Sequence, residues 1–265
     1  MNITTYNEFC FIIWHYTPIA YDLHLKGKLT STNSKIGTSP LFYFSPNHTE
    51  SKVHNWHMEN YQPYYQLDDV KIKDGWTPPP YKEQFKNDKF VYDKPILTIN
   101  NKSTIEWERG LFNYFNLESL DRIFEEFSED YQIIYIRPPH GDTQSYQHDQ
   151  GVKTMDIGDI QLIKEKYPNI ITIEDLITEN PDLSYNELQM SVLANSDRHI
   201  AAAGGDAAIA AYFGGDLLIY RNKSAPSTNR GVWRTSSYLR LFSGSNVIGC
   251  DTYDDVLKQA RSLWK

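Results

Sequence analysis

The chain has 265 residues, 40% of them hydrophobic and 23% charged, so it can build a substantial core and wholesale disorder is excluded. Its formal charge of −8 argues against a general nucleic-acid or anionic-membrane binder, because phosphate contacts need a basic surface. Cys10 and Cys250 are its only cysteines, and its leading apolar run, Phe9–Trp14, is too short to span a bilayer; the expectation is a soluble cytoplasmic protein of a reducing compartment without a transmembrane segment.

The sequence divides into two textures. Residues 1–94 carry ten Lys/Arg and ten Asp/Glu and hold 18 of the 37 aromatics, yet only three glycines. Prolines at Pro40, Pro46, Pro63 and Pro78–Pro80 interrupt regular structure, so a few short strands and a helix are expected. This reads as a small aromatic-rich lobe facing the carboxyl edge of a sheet formed by the rest. Its Trp14, Trp56, Trp76 and Tyr61–Tyr65 side chains suit stacking on sugar rings, or ordinary core and interface packing.

Residues 95–265 carry the whole negative charge and 11 of the 14 glycines. Unbroken apolar runs of strand length occur at Pro95–Asn100, Tyr131–Ile136, Ile170–Ile173, His199–Ala203, Leu217–Tyr220 and Asn246–Cys250. Such runs are expected of parallel strands covered on both faces. Helical patterns lie between them. Leu117, Leu120, Ile123, Phe124 and Phe127 form one stripe behind Asn116 as N-cap. Ser184 and Glu187 form a capping box ahead of Leu188 and Val192. Tyr253, Val256, Leu257, Ala260 and Leu263 line the last helix. Six strands alternating with helices predict an α/β fold with a Rossmann-like, doubly wound parallel sheet.

Ligands of such sheets bind beyond the carboxyl ends of the strands. Gly204-Gly205-Asp206, opening a small-residue helix, offers a diphosphate cradle or simply tight helix–sheet packing. It matches neither the dinucleotide fingerprint nor the P-loop, so a nicotinamide cofactor or ATP is not supported. Between Leu217 and Cys250 lie five bases (Arg221, Lys223, Arg230, Arg234, Arg240) and no carboxylate, a balance suited to an anionic ligand or to a basic loop pairing with acids elsewhere. The linker Asn222–Val232 suits a flap over a ligand. The first strand ends in Asn100-Asn101-Lys102, with Glu106-Trp107 beyond. The second is followed by Arg137, then His140-Gly141-Asp142 and later His148-Asp149. Glu174 and Asp175 follow the third, where a nucleoside would bind or where they would cap the next turn. The His48, His54, His57 cluster lacks zinc-motif spacing, and no Asp-x-Asp motif is present.

The runs KPILTINNKSTIEW (Lys94–Trp107), YQIIYIRP (Tyr131–Pro138), ENPDLSYNELQ (Glu179–Gln189) and AAAGGDAAIAAYFGG (Ala201–Gly215), with FYFSPNH (Phe42–His48) and WTPPPYKE (Trp76–Glu83) before them, resemble a little-characterised glycosyltransferase-like family. Its members occur in bacterial surface-polysaccharide clusters and in large DNA viruses. The resemblance implies a GT-B-like fold with the nucleotide-sugar donor on the carboxyl-terminal domain and no essential metal or cofactor. Residues 1–94 are shorter than a full GT-B amino-terminal domain. On this reading a sugar moves from a nucleoside diphosphate, UDP-xylose or another UDP-sugar first and GDP-fucose next, to a glycan or glycoprotein acceptor. Gly204, Gly205 and Asp206 meet the diphosphate; Asn101, Lys102, Arg137, Arg230 and Arg234 line the donor site and neutralise charge. Glu174 and Asp175 contact the nucleoside. His140 with Asp142, or Glu106, is the acceptor base of an inverting transfer. A sugar-nucleotide epimerase and a non-catalytic carbohydrate- or nucleotide-binding module are the rival readings.

Overall fold

A computed structural model describes residues 1–7, 9–51, 75–105, 111, 113–138, 153–222 and 239–265. The first strand, β1 (Asn2–Thr4), leads through α1 (Phe9–Phe11) and a π-helical turn (Ile12–Tyr16) into α2 (Thr17–Leu25). Pro18 has no N–H to offer one turn back, so an ordinary α-helical bond to Trp14 is impossible. The Trp76 indole takes the Trp14 carbonyl instead, at 3.0 Å. The Ile13 carbonyl likewise accepts from Thr17 Oγ1 at 2.9 Å and from the Tyr212 hydroxyl at 2.7 Å. A wide turn of this kind is tolerated only where side chains supply the missing donors. β2 (Ser31–Lys35) and β3 (His48–Ser51) join β1 in a parallel sheet of order β1-β2-β3. The amino-terminal residues are thus more regular than their prolines suggest.

The second sheet contains β4 (Ile96–Asn100), β6 (Gln132–Ile136), β8 (Ile171–Thr172), β9 (Arg198–Ala202), β10 (Asp216–Tyr220) and β11 (Asn246–Cys250). Its order is β11-β10-β9-β4-β6-β8, parallel throughout. In chain order that is 3-2-1-4-5-6, the dinucleotide-fold arrangement, whose switch point lies between β4 and β9. All six expected apolar runs are strands, although the third is short. Ile173 leaves the sheet there because Thr172 accepts from the Asp175 N–H and starts α6 (Ile173–Glu179). The short β5 (Thr104–Ile105) and β7 (Lys153–Thr154) pair antiparallel outside the sheet.

Helices cover both faces. α4 (Leu117–Phe127), α5 (Asp159–Lys166) and the final helix α9 (Tyr253–Trp264) enclose a core with Leu97, Ile99, Ile133, Ile200 and Leu218. Asn116 caps α4 as expected, and Ser184 with Glu187 boxes the start of α7 (Tyr185–Ala194). On α9, Leu263 is exposed rather than part of the stripe. α6 and α7 cover Ile96, Ile134 and Ile136 on the opposite face. There α8 (Gly205–Ala210) and its 3-10 extension (Ala211–Phe213) share one core with Ile12, Ile13, Leu41, Phe42, Trp76 and Tyr81. The core therefore runs across residue 95 without a seam. α3 (Tyr81–Phe85) is part of this joint: the Tyr81 hydroxyl donates to the Leu41 carbonyl at 2.7 Å, and its ring lies 4.8 Å from that of Tyr212. Gly215 has φ +70, and a Cβ there would fall on the Asp197 carbonyl, so only glycine lets β10 begin beside β9. Among the described residues no helix is long and apolar enough to cross a membrane.

Candidate functional site

The switch point puts two loops side by side. One leaves β4 through Asn101 and Lys102; the other leaves β9 through Ala203, Gly204 and Gly205 into α8. Lys102 lies across the second loop, its Nζ 3.4 Å from where a Cβ on Gly204 would stand. Gly204 itself has extended backbone that any residue adopts, and a Cβ there would make only ordinary contact with this lysine. Gly205 is tighter: a Cβ there would come within 3.0 Å of the Phe9 ring. The amino-terminal lobe thus reaches the carboxyl edge through Phe9. Asp206, largely buried, accepts from Gln189 Nε2 of α7 at 3.4 Å.

Asn101 shapes the first loop. Its Oδ1 accepts from the Lys102 N–H at 2.9 Å and the Phe115 N–H at 2.8 Å. Its Nδ2 donates to the Phe115 carbonyl at 3.0 Å and the Tyr135 hydroxyl at 2.9 Å. The Tyr135 hydroxyl donates in turn to Asp159 Oδ2 at 2.6 Å. Arg137, only 3% exposed, closes the chain. Its Nε lies 3.3 Å from Asp159 Oδ2 and its Nη2 lies 2.8 Å from Glu174 Oε1. These are close ion-pair contacts without hydrogen-bond alignment at Nε or at the Glu174 oxygens. Burial pushes Glu174 above the usual carboxylate range and Arg137 holds it back, while burial with the Asp159 charge drives the Tyr135 phenol well up.

This network corrects several expectations. Arg137, expected at the diphosphate, faces two carboxylates of the protein at the end of β6. Asn101 is spent on the loop and on Tyr135, so it positions Lys102 rather than lining a ligand. Glu174 belongs to Arg137. Asp175 caps α6, accepting from the Thr172 N–H at 2.9 Å. Lys102, Gly204, Gly205 and Asp206 do come together. Of the five bases between Leu217 and Cys250, Arg221 pairs with Asp251 at 3.1 Å and Arg240 donates to the Val247 carbonyl at 2.8 Å. Lys223, Arg230 and Arg234 lie outside the described residues, as do Glu106, His140, Asp142, His148, Asp149, His54, His57, Trp56 and Tyr61–Tyr65. Among the described residues no three His, Cys, Asp or Glu side chains gather as a metal site would require.

Asp159, Tyr135 and Gln189 are site-shaping residues that the sequence reading missed. Tyr135 and Gln189 sit in elements read for their apolar pattern, and Asp159 opens a helix that the sequence reading did not single out.

No family model matches the chain, and no curated protein matches it. Solved structures do. ADP-heptose lipopolysaccharide heptosyltransferase II of Escherichia coli is 8% identical, with a TM-score of 0.59 over 99% of this chain and 97% of that one. The dodecameric iron-containing heptosyltransferase TibC in complex with ADP-D-β-D-heptose, from enterotoxigenic E. coli, is 12% identical, with a TM-score of 0.51 over 99% of this chain and 76% of that one. At such identities the likeness establishes a shared α/β fold.

Proposed function

We propose that the protein is a glycosyltransferase that takes a nucleoside-diphosphate sugar at the β4–β9 switch point. The observation that carries this reading is the Lys102 side chain laid over Gly204, one cation between the two loops that flank the crevice. The fold shared with two heptosyltransferases, one of them solved with a nucleotide sugar, supports it.

In the reaction the bond from the anomeric carbon to the diphosphate breaks as an acceptor hydroxyl attacks that carbon. The diphosphate leaves with the bonding electron pair, and its growing charge is what Lys102 stabilises. Such a site needs no metal, because the lysine supplies the positive charge. The acceptor proton passes to a base, for which His140 with Asp142, or Glu106, are the candidates; Arg230 and Arg234 are candidates for further phosphate contacts.

Titration calorimetry with ADP-heptose, UDP-xylose and GDP-fucose, each with and without EDTA, tests the reading. One of them binds, EDTA changes nothing, and Lys102→Ala weakens binding by about 10- to 100-fold, the worth of one charge-assisted contact. Failure of all three to bind, or undiminished binding by Lys102→Ala, overturns it. Incubation of the binding donor alone separates transfer from epimerisation, since a transferase leaves it unchanged.

A further inference from the structure

Two consecutive asparagines end β4, and they face opposite ways. Leu97 and Ile99 enter the core under α4 and α9, whereas Ile96 enters the core under α6 and α7. Strand alternation therefore sends Thr98 and Asn100 to the α7 side, and Asn101 to the side of Phe115 and Tyr135. Asn101 is fully bonded, as described above. Asn100 is 0% exposed, and among the described residues neither its Nδ2 nor its Oδ1 has a hydrogen-bond partner. It stands in register with Ala201 of β9, three residues before Gly204, and so lies beneath the switch point. On the same face, buried Gln189 gives its Nε2 to Asp206 and leaves Oε1 without a donor. The Ser103 hydroxyl, buried in the loop just beyond, is also unpartnered.

An orphaned buried carboxamide is costly, and a native fold keeps one where something else completes it. The inventory of missing bonds identifies the partner. Asn100 Oδ1 and Gln189 Oε1 need donors, while Asn100 Nδ2 needs an acceptor. A phosphate oxygen only accepts, so it leaves both carbonyl oxygens unsatisfied, and Lys102 already answers phosphate. A cation is opposed by Lys102 and by the amide N–H groups. A hydroxyl both donates and accepts, and adjacent hydroxyls fit the whole set.

We propose that Asn100, with Gln189 and Ser103, is the polyol-reading element of the crevice, binding adjacent hydroxyls of the nucleotide-sugar donor. This inference rests on the donor reading above. The hydroxyls belong either to the transferred sugar or to the ribose, and the parent nucleoside diphosphate tells them apart.

The test uses the full chain and its near-isosteric variant Asn100→Leu, with whichever of ADP-heptose, UDP-xylose and GDP-fucose binds, and with its parent diphosphate. Without ligand the variant melts about 2–4 °C higher, because an unsatisfied buried group has been removed. Its affinity for the nucleotide sugar falls at least tenfold. Retained affinity for the parent diphosphate assigns the hydroxyls to the sugar, and an equal loss assigns them to the ribose. Gln189→Met, which keeps Asn100, is the independent check, and it too weakens the nucleotide sugar. Undiminished binding by the variant, or a melting temperature below that of the parent chain, overturns the inference; the second result means that the carboxamide already holds a structural partner. Binding that depends on Lys102 but not on Asn100 or Gln189 overturns this inference alone, whereas failure of every nucleotide sugar to bind the parent chain overturns the donor reading with it.

Discussion

The carboxyl ends of β6 and β4 lie side by side in one sheet and are finished in opposite ways. Beyond β6, Arg137, Asp159, Glu174 and Tyr135 satisfy one another's charges and reach back to Asn101. Beyond β4, the Asn100 carboxamide and the Ser103 hydroxyl lack partners among the described residues, and Lys102 lies along a glycine of the neighbouring loop. Conspicuous charge therefore marks the part of the edge where opposite charges already face one another, even though Arg137 Nε and the Glu174 oxygens make no aligned hydrogen bond. The part at the switch point is marked by neutral amides and one lysine. A buried ion pair is a consequence of the fold having found its counter-charge, while an unanswered carboxamide is a vacancy in the hydrogen-bond inventory.

The largest effect that would break this contrast is on stability at β6. Arg137→Ala leaves the buried Asp159 and the half-buried Glu174 without their cation, and urea unfolding should show a loss of about 3 kcal/mol. A variant that unfolds like the parent chain but no longer binds nucleotide would return Arg137 to the ligand. Acid sharpens the comparison along the β4–β9 seam. His199, fully buried with Nδ1 2.7 Å from Thr98 Oγ1, is driven down to about 3 by burial. Burial likewise lowers His15 to about 4. Both are neutral when folded and titrate near 6.5 when unfolded, so the unfolded chain binds more protons below that value. Stability is then full above pH 6.5 and falls as pH drops from 6.5 towards 3–4, by about 1.4 kcal/mol per pH unit for each histidine. Unfolding at pH 7, 6 and 5 measures the slope, and His199→Gln should flatten it. Tyr135→Phe is the mildest change. It removes the donor to Asp159 and the acceptor for Asn101, costing about 1–2 kcal/mol, and should weaken nucleotide binding only through the Lys102 loop.

The six strands and the caps of α4 and α7 were legible because each depends on residues within one element. An unbroken apolar run calls for burial on both faces, and Asn116 or Ser184 reaches an N–H three residues away. Local sequence also puts Lys102 just past β4 and Gly204 just past β9. It gave a few short strands and a helix for residues 1–94 but not the wide turn before Pro18, where Trp76 donates to the Trp14 carbonyl from 62 positions away. Which face each residue of Asn100-Asn101 occupies follows from strand alternation, but which one finds partners does not. Asn101 meets Tyr135 across 34 residues and Phe115 across 14, and Arg137 meets Glu174 only once β6 lies beside β8. Periodicity and capping are short-range steric and hydrogen-bonding effects, written into neighbouring residues. Whether a buried polar group is answered is decided by long-range packing, and only the assembled sheet makes that decision.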